Sequence, residues 1–272
     1  MNKLKIKSMK LYNNVGRIFN ELKEIGKDKS KILKVEDLIK FDQLHYCGID
    51  AVDFAIINTK INSSKSILEI GSGIGGPARY IGYKTRASVT ALELQADHHK
   101  IALDLTKKCK LLKNVNHIRG DILNYNWKNK KFDVVVSWLA LYHIKDHNKL
   151  LKNSFNLIKK NGYFFSEDLI SLKKLNNKNL SELSNDLYAN YLPSYETYLN
   201  DLEKKGFEII YHKNMSQKWA AFVRKRKMSY EDNKNRNIRV HGKKTHKNIT
   251  YFYNIVDKYF SSQKLGGIKV IA

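Results

Sequence analysis

The sequence predicts an α/β protein: a doubly wound, mostly parallel, seven-stranded sheet with a helical N-terminal cap and a helical insertion before the last strand. Two observations carry this prediction. From Ser66 onward, short apolar runs of four to six residues alternate with segments of helical spacing, a pattern typical of parallel strands joined by crossover helices. The first of these runs leads into a glycine-rich turn at 71–76 that opens a helix.

Seven short apolar runs are predicted to be the strands of this sheet. Six of them alternate with helical segments, and the seventh follows a long helical stretch. The predicted strands are Ser66–Ile70, Ser88–Leu92, Val115–Arg119, Phe132–Val136, Gly162–Ser166, Phe207–His212 and Gly267–Ala272.

The segment before the first strand is predicted to be a helical cap, residues 1–62. Apolar residues recur at helical spacing over 8–25, and the motif Gly26-Lys27-Asp28-Lys29 then breaks the pattern. Two shorter helical pieces are predicted at 35–41 and 49–58.

The main domain is predicted to cover residues 63–272 and to carry a helical insertion at 213–265. The last two strands are separated by about fifty residues, which is too many for a plain connection. Their spacing is mostly helical, with a polar break at 233–247.

The composition excludes several classes of protein. Of the 272 residues, 42% are apolar and 11% aromatic, which excludes an intrinsically disordered chain. No stretch approaches the ~18 consecutive apolar residues of a membrane span, and the basic start at 1–10 lacks the apolar core of a secretory signal. Cys47 and Cys109 lie far apart without metal-ligand spacing, so we expect no metal site and a cytoplasmic, reducing location.

The net charge of +24 needs a separate explanation. Only 8 of the 50 basic residues are Arg, and Lys is spread from end to end, whereas nucleic-acid sites favour Arg and cluster their charge. The densest basic run, 224–227, lies in a predicted helix. We therefore expect a solvated basic surface and no specific nucleic-acid partner, while a preference for anionic small molecules stays open.

The glycine-rich turn is the strongest motif. Residues 69–76 are Glu-Ile-Gly-Ser-Gly-Ile-Gly-Gly, and such glycines let the backbone bend sharply and approach a ligand closely. The same residues satisfy the pattern G-x-G-x-x-G, so a nicotinamide or flavin dinucleotide is one candidate ligand. Glu69 favours a different ligand, because a carboxylate beside the turn suits a cationic amino group and is poorly placed against a pyrophosphate.

Three further segments fall at the ends of later strands. Glu93 ends the second predicted strand, where an acid can accept hydrogen bonds from both ribose hydroxyls. Asp121 follows the third strand, where it can accept a hydrogen bond from an adenine amino group or cap a turn. The fourth run, 132–143, crosses the sheet and delivers residues 137–143 to its carboxyl edge, where ligands bind in open α/β sheets.

In their order and spacing, these segments resemble the successive motifs of class I S-adenosylmethionine-dependent methyltransferases. The resemblance covers residues 64–171 and extends to the last predicted strand. It implies that S-adenosyl-L-methionine is the cofactor, that the glycines line its methionine part, that Glu93 holds the ribose, and that Asp121 and Ile122 face the adenine. The expected cofactor-binding residues are Gln43, Glu69, Gly71, Ser72, Gly73, Gly75, Glu93, Leu94, Asp121, Ile122 and Ser137.

Within that class, the chain resembles small-molecule enzymes acting on glycine, sarcosine, dimethylglycine or phosphoethanolamine. The resemblance rests on residues 41–51, 191–198 and 217–219, and tocopherol-type and sterol methyltransferases share parts of this layout. Two positions depart from the phosphoethanolamine pattern. Leu139 stands where an Asp pairs with the histidine of the fourth motif, and Ala189 stands where an Arg holds the phosphate.

The acceptor site is expected where the cap meets the fourth motif. Methyl transfer from a sulfonium needs alignment and exclusion of water, and an amine acceptor must also lose a proton. We expect His143 and Tyr46 to act in catalysis, with a packed structural histidine as the alternative for His143. The expected substrate-binding residues are His45, Tyr142, Asp168, Tyr191 and Trp219. Core packing is the alternative for the last two, and turn capping is the alternative for Asp168.

The resemblance therefore predicts an enzyme that methylates a small molecule, most simply an amine of the glycine-betaine or choline type. The second hypothesis is methylation of an oxygen, sulfur or carbon atom of a hydroxy acid, phenol or sterol. An RNA methyltransferase is favoured by charge alone, and the intact glycine turn and both acids argue against a cofactor-binding protein without turnover. We expect a monomer or a homodimer.

Overall fold

A seven-stranded sheet forms the centre of the computed structural model, which describes residues 6–272. Residues 1–5, the start of the predicted cap, lie outside the described part. The strand order is β3-β2-β1-β4-β5-β7-β6, with parallel pairing from β3 to β5 and β7 antiparallel between β5 and β6. The fold class predicted from the sequence is confirmed. The strands are β1 Ser66–Ile70, β2 Ser88–Glu93, β3 Val115–Arg119, β4 Phe132–Trp138, β5 Ile158–Ser171, β6 Tyr211–Asn214 and β7 Leu265–Ile271.

Eleven α-helices surround the sheet in the described part of the chain, and two hydrophobic clusters cover its faces. Alternate residues of β4 point to opposite sides, so that Val134 packs with α3 and α4 while Val135 packs with α6 and α8. The helices are α1 Arg17–Glu24, α2 Ile39–Asp42, α3 Ile49–Asn58, α4 Gly76–Thr85, α5 Ala96–Lys108, α6 His147–Asn156, α7 Asn177–Asp186, α8 Tyr195–Glu203, α9 Ser216–Asp232, α10 Lys234–His241 and α11 Lys243–Ser261.

β5 and β6 differ most from their predicted bounds, while β2, β4 and β7 differ by one or two residues at an end. β5 extends through Ser171, well beyond the predicted end, because its last residues pair with β7. β6 begins at Tyr211 rather than at Phe207. The Phe207 ring packs against Phe155 and Phe164, and this burial takes the segment before β6 out of the sheet.

The cap differs from the helix predicted over 8–25. Only Arg17–Glu24 is α-helical there, and short 3-10 turns precede it. The Arg17 guanidinium donates to the carbonyl oxygens of Leu11 (2.7 Å) and Asn14 (3.1 Å), which fixes a bend before the helix. This bend brings residues 6–12 to the carboxyl edge of the sheet.

The insertion is helical, as predicted, and it is seated on β7. A Cβ atom at Gly267 would lie 1.9 Å from the Trp219 ring, so α9 can approach this strand only because the position is glycine. The predicted polar break contains helix α10, and the chain turns only at Asn233 and Gly242. Ion pairs of Arg236 and Arg239 with Glu21 and Glu24 of α1 join the insertion to the cap.

No helix in the range 6–272 has both the length and the apolar character that crossing a membrane requires.

Candidate active site

A cavity lies at the carboxyl ends of β1, β2 and β4, and the cap and the insertion form its other walls. Within this cavity, the centre of a water molecule can occupy about 150 Å³. The structure brings together twelve of the residues predicted from the sequence. Those that line the cavity are His45, Tyr46, Glu69, Gly71, Ser72, Gly73, Glu93, Leu94, Asp121, Ile122, Tyr142 and His143.

The glycine turn presents its backbone to this cavity. Gly71 and Gly73 have φ angles of 73° and 53°, a region that favours glycine. A Cβ atom at Gly71 would lie 2.4 Å from the Cβ atom of Ala140, whereas one at Gly73 would have no neighbour closer than 3.8 Å. The space beside Gly73 is therefore open toward the cavity. The turn is fixed to β2 because the backbone amides of Gly71 and Ser72 both donate to the Leu92 carbonyl oxygen.

Glu69 offers an unused carboxylate oxygen to a ligand. Its side chain is buried, and Oε2 has no hydrogen-bond partner within the described residues. Burial raises the pKa of this carboxyl well above its usual range. The hydroxyl of Ser72, also buried and without a partner, lines the same cavity. A cationic amino group placed here would satisfy Glu69 and lower that pKa again.

Glu93 sits at the end of β2 and supports the turn from the other side. Its carboxylate accepts hydrogen bonds from the backbone amides of Gly73 (2.8 Å) and Gln95 (2.7 Å). Burial is the main reason that the pKa of this carboxyl is raised to about 7. Each carboxylate oxygen keeps a further lone pair for a hydroxyl donor in the cavity.

Asp121 caps a turn, which is one of the two roles that the sequence left open, and it also lines the cavity. Its Oδ1 accepts the backbone amide of Leu123 (2.9 Å) and its Oδ2 accepts the side-chain amide of Asn124 (2.9 Å), so it caps the turn after β3. It also lines the cavity beside the buried side chain of Ile122. Leu94 completes this end of the wall.

Three predicted cofactor-binding residues lie behind the cavity wall. The hydroxyl of Ser137 donates to the carbonyl oxygen of Ile70, and the amide of Gln43 donates to Oδ1 of Asp42. Gly75 has a φ angle of 80° and faces away from the cavity, where a Cβ atom would lie 2.8 Å from the Arg79 guanidinium. The expectation of direct ligand contact is not met for these three residues, whose contacts stabilise the turn.

His143 lines the cavity, and one of its ring nitrogens is free. Its Nδ1 lies 3.0 Å from the carbonyl oxygen of Tyr188, and a carbonyl only accepts, so Nδ1 carries the proton. Its Nε2 is buried without a partner among the described residues. Burial lowers the pKa of His143 to about 4, which keeps the ring neutral. The result is a fixed tautomer with an unshared lone pair on Nε2.

Aromatic rings from several segments stand in or behind the cavity wall, and one of them lies against this histidine. The Tyr46 ring contacts the Trp219 ring edge-to-face, with 5.1 Å between centroids, and the Tyr142 ring lies 4.0 Å from the His143 ring. Burial raises the pKa of both tyrosine hydroxyls, so they remain protonated at neutral pH. The His45 Nε2 lies 2.9 Å from the carbonyl oxygen of Gly48, which orients that ring in the wall.

Three predicted substrate-binding residues do not line the cavity, and the geometry corrects the expectation of direct contact. Trp219 is fully buried between Tyr46 and β7. Tyr191 stacks on His147 and donates its hydroxyl to Asp201 in a separate surface depression. Asp168 is buried and accepts the backbone amide of Tyr142 at 3.3 Å. The packing and capping alternatives therefore describe these positions.

The sequence reasoning missed several residues of the wall. Tyr12 reaches the cavity through the bend before α1, and its ring contacts His98 edge-to-face at 5.0 Å. Arg226 belongs to the basic run that was expected to be solvated. The helical spacing of apolar residues in the insertion was the one sign in the sequence that a face of the insertion is buried. The missed polar and aromatic residues are Tyr12, Asp42, Gln95, His98, Trp138, Arg226, Phe252 and Tyr253.

Within the described residues, no three His, Cys, Asp or Glu side chains are grouped as metal ligands would be.

Comparison with known proteins gives concordant matches. A family model described as Methyltransferase domain matches residues 42–212. Sterol methyltransferase-like 1 of Botryococcus braunii is 27% identical over 172 residues, which cover 61% of this chain and 43% of that protein. The chain spans about two fifths of the length of the curated sterol methyltransferase-like relatives it matches.

Solved structures share the fold. Phosphoethanolamine N-methyltransferase 2 of Haemonchus contortus, in complex with phosphomonomethylethanolamine and S-adenosylhomocysteine, has a TM-score of 0.78 at 18% identity, covering 94% of this chain and 60% of that one. A putative sarcosine dimethylglycine methyltransferase from Galdieria sulphuraria has a TM-score of 0.69 at 15% identity, covering 81% of each chain. Because the family model spans more than half of the sequence, including the glycine turn and six of the seven strands in whole or in part, the chain belongs to the methyltransferase-domain family and has its class I fold.

Proposed function

We propose that this protein transfers a methyl group from S-adenosyl-L-methionine to a small-molecule amine. The observation that carries the proposal is the pairing of two features in one cavity. Glu69 leaves a buried carboxylate oxygen unused beside the open glycine turn, and His143 leaves a buried nitrogen lone pair unused on the acceptor side. When bound, S-adenosylmethionine supplies a methyl group activated by attachment to a sulfonium.

The chain offers a partner for each part of this cofactor. Glu69 suits its cationic amino group, and the open space beside Gly73 suits its methionine part. Glu93 keeps lone pairs for the ribose hydroxyls, and Asp121 with Ile122 suits the adenine. A dinucleotide fits less well, because its pyrophosphate would lie against the carboxylates of Glu69 and Glu93.

On the acceptor side, we assign His143 an orienting role. Its Nε2 accepts a hydrogen bond from the acceptor N–H, which points the nitrogen lone pair along the line of attack. With a pKa lowered to about 4, this imidazole is better suited to orienting the amine than to storing its proton. Tyr46, His45 and Tyr142 close the space around the amine with rings that attract cations.

In this proposal the described part of the predicted cap 1–62, residues 6–62, covers the catalytic domain, residues 63–272. Tyr12 and Tyr46 from the cap and Phe252 from the insertion line the same cavity as the glycine turn. Their apolar surface excludes water from the reacting groups, which protects the transfer and strengthens the electrostatic contacts.

A second candidate is methylation of a carbon atom in an apolar acceptor such as a sterol. The specific observation in its favour is the apolar character of the insertion wall, formed by Val223, Phe252 and Val256. The Botryococcus braunii relative carries a sterol methyltransferase-like name.

Calorimetry and isotope transfer test the proposal. We expect S-adenosylhomocysteine to bind and NAD not to bind, and we expect Gly73→Val to abolish binding because its side chain fills the open space. Radiolabel from S-adenosylmethionine should then appear on amines of a mixed panel and not on sterols. NAD binding without S-adenosylhomocysteine binding, or label on sterols alone, contradicts the proposal.

A further inference from the structure

The charges on the cavity wall are separated by sign. Glu69, Glu93 and Asp121 lie at the strand ends, and Asp42 beside them is paired with Arg79 behind the wall. Across the cavity, on helix α9, stands Arg226. It is the only Lys or Arg side chain in the wall, counted over residues 6–272.

Arg226 has no acidic partner in the protein. No carboxylate of residues 6–272 lies within 4.0 Å of its guanidinium, whereas Arg224 and Lys227 on the same helix both reach Asp257. One guanidinium nitrogen of Arg226 donates to the carbonyl oxygen of His45 at 3.1 Å, and the group lies over the Phe222 ring at 4.5 Å.

These contacts hold the guanidinium of Arg226 in place and leave some of its N–H donors unused. A guanidinium has five N–H donors in a planar fork, and the bond to His45 uses one of them. The group is half-buried beside an apolar wall, where an unpaired charge is poorly solvated. A carboxylate or phosphate of a ligand would satisfy both the charge and the fork.

Among residues 6–272, no other cation in the wall competes for such a ligand. Burial lowers the pKa of His45 and His143 to about 4 and also lowers the pKa of His98, so these rings are neutral at pH 7. The nearest rings around Arg226, those of Tyr46 and Phe222, carry no charge at that pH.

We propose that the methyl acceptor carries an anionic group, a carboxylate or a phosphate, and that Arg226 binds this group at the cap end of the cavity. The proposal rests on the proposed methyl transfer and narrows its acceptor class. With the anion held on α9, the rest of the acceptor extends toward His143 and the glycine turn. A neutral sterol or a purely cationic amine lacks this contact.

Matched pairs of probes test the proposal. The pairs are sarcosine with N-methylethanolamine, phosphoethanolamine with ethanolamine, and dodecanoate with dodecanol, so each pair differs in one anionic group. Binding to the protein loaded with S-adenosylhomocysteine is measured by calorimetry. We expect the anionic member of at least one pair to bind about tenfold tighter or more than its neutral or cationic partner. Which pair responds distinguishes carboxylate from phosphate.

Three variants of α9 test whether Arg226 is the residue that causes the preference. Arg226→Gln should remove the preference for the anionic member and leave the affinity for S-adenosylhomocysteine and the melting temperature unchanged. Arg224→Gln, exposed on the same helix and outside the cavity wall, should keep the preference. Arg226→Lys retains the charge without the fork and should recover part of it.

The outcomes separate this inference from the proposed function. If the wild type does not bind S-adenosylhomocysteine, the proposed function is wrong. If it does bind and no anionic probe is preferred or bound, the anionic acceptor is wrong while the methyl transfer stands. If Arg226→Gln keeps the preference, the assignment of the anion to Arg226 is wrong.

Discussion

The guanidinium of Arg79 and the carboxylate of Asp42 form an ion pair, 3.0 Å from Nη2 to Oδ2, in which both side chains are completely buried. Nη1 of the same guanidinium donates to the carbonyl oxygen of Ile74 in the glycine turn at 2.7 Å. The pair therefore connects the cap to the backbone that borders the cofactor side of the cavity. Two charges removed from water in this way depend on each other.

Asp42→Ala should destabilise the protein by about 3–5 kcal/mol, because it leaves the Arg79 charge buried without a partner. Urea unfolding measures the loss. The control is Asp53→Ala, which removes the half-buried partner of the exposed Lys84 and should cost about 1 kcal/mol. Equal losses for the two variants contradict the importance of the buried pair.

Glu93→Ala should weaken the binding of S-adenosylhomocysteine by about 1.5–3 kcal/mol, the usual contribution of a hydrogen bond to a charged group. Calorimetry on the folded variant measures the affinity, and a melting curve checks the fold. Glu208→Ala, a change of an exposed acid outside the cavity wall, is the control. Unchanged affinity, or an unfolded variant, means that the ribose assignment is wrong.

The stability of the ligand-free protein should depend on pH through Glu93. The folded-state pKa of about 7 lies above the ordinary value of 4.5, so the protonated carboxyl is favoured by folding. Its contribution is complete below pH 4.5 and is lost as the pH rises through 7. One pKa unit corresponds to about 1.4 kcal/mol, so the loss is about 3 kcal/mol at most.

The measurement is the difference in unfolding free energy between the wild type and Glu93→Gln across this range. The difference is used because burial also lowers the pKa of His45, His143 and His147. These histidines reduce the stability as the pH falls below 6.5, whereas Glu93 increases it. The difference should fall steadily between about pH 5 and 7.5. A flat difference argues against a buried Glu93 with a raised pKa.

His143→Ala should lower turnover by roughly 10²-fold while the affinity for the cofactor stays the same, because the role we propose for Nε2 is to orient the acceptor and not to bind the cofactor. Single-turnover rate and melting temperature are measured on one preparation. If His143 serves only in packing, the variant has a lower melting temperature and an unchanged single-turnover rate in the folded fraction. That result rules out the orienting role.

The parts of the site that the sequence could predict are local. The glycine turn, Glu93 and Asp121 each follow an apolar run within a few residues, so their placement at strand ends depends only on where the strands stop. For the same reason the strand pattern predicted the sheet, and only the segment around Phe207 departed from it, where side-chain packing overrode strand pairing.

The residues that could not be predicted depend on contacts between distant segments. Arg224 and Arg226 lie two positions apart in one basic run, and only the docking of α9 on β7 decides which of them faces the cavity. Tyr12 reaches the wall because Arg17 bends the chain before α1. Conversely, Trp219 and Tyr191 have the residue types of a binding pocket, but the packing turns them away from it.

The position of β7 between β5 and β6 has a consequence for how the protein is made. Phe165 pairs with Ile271, more than one hundred residues later, and the start of α9 is tied to the same strand through Gly267. Contacts of such long range form late in folding. A chain emerging from the ribosome can form β1 to β4 and the glycine turn early. Helix α9 has no strand to pack on until β7 has left the exit tunnel. The complete pocket thus forms only once β7 is available, and no ligand that needs both walls can assist the earlier steps.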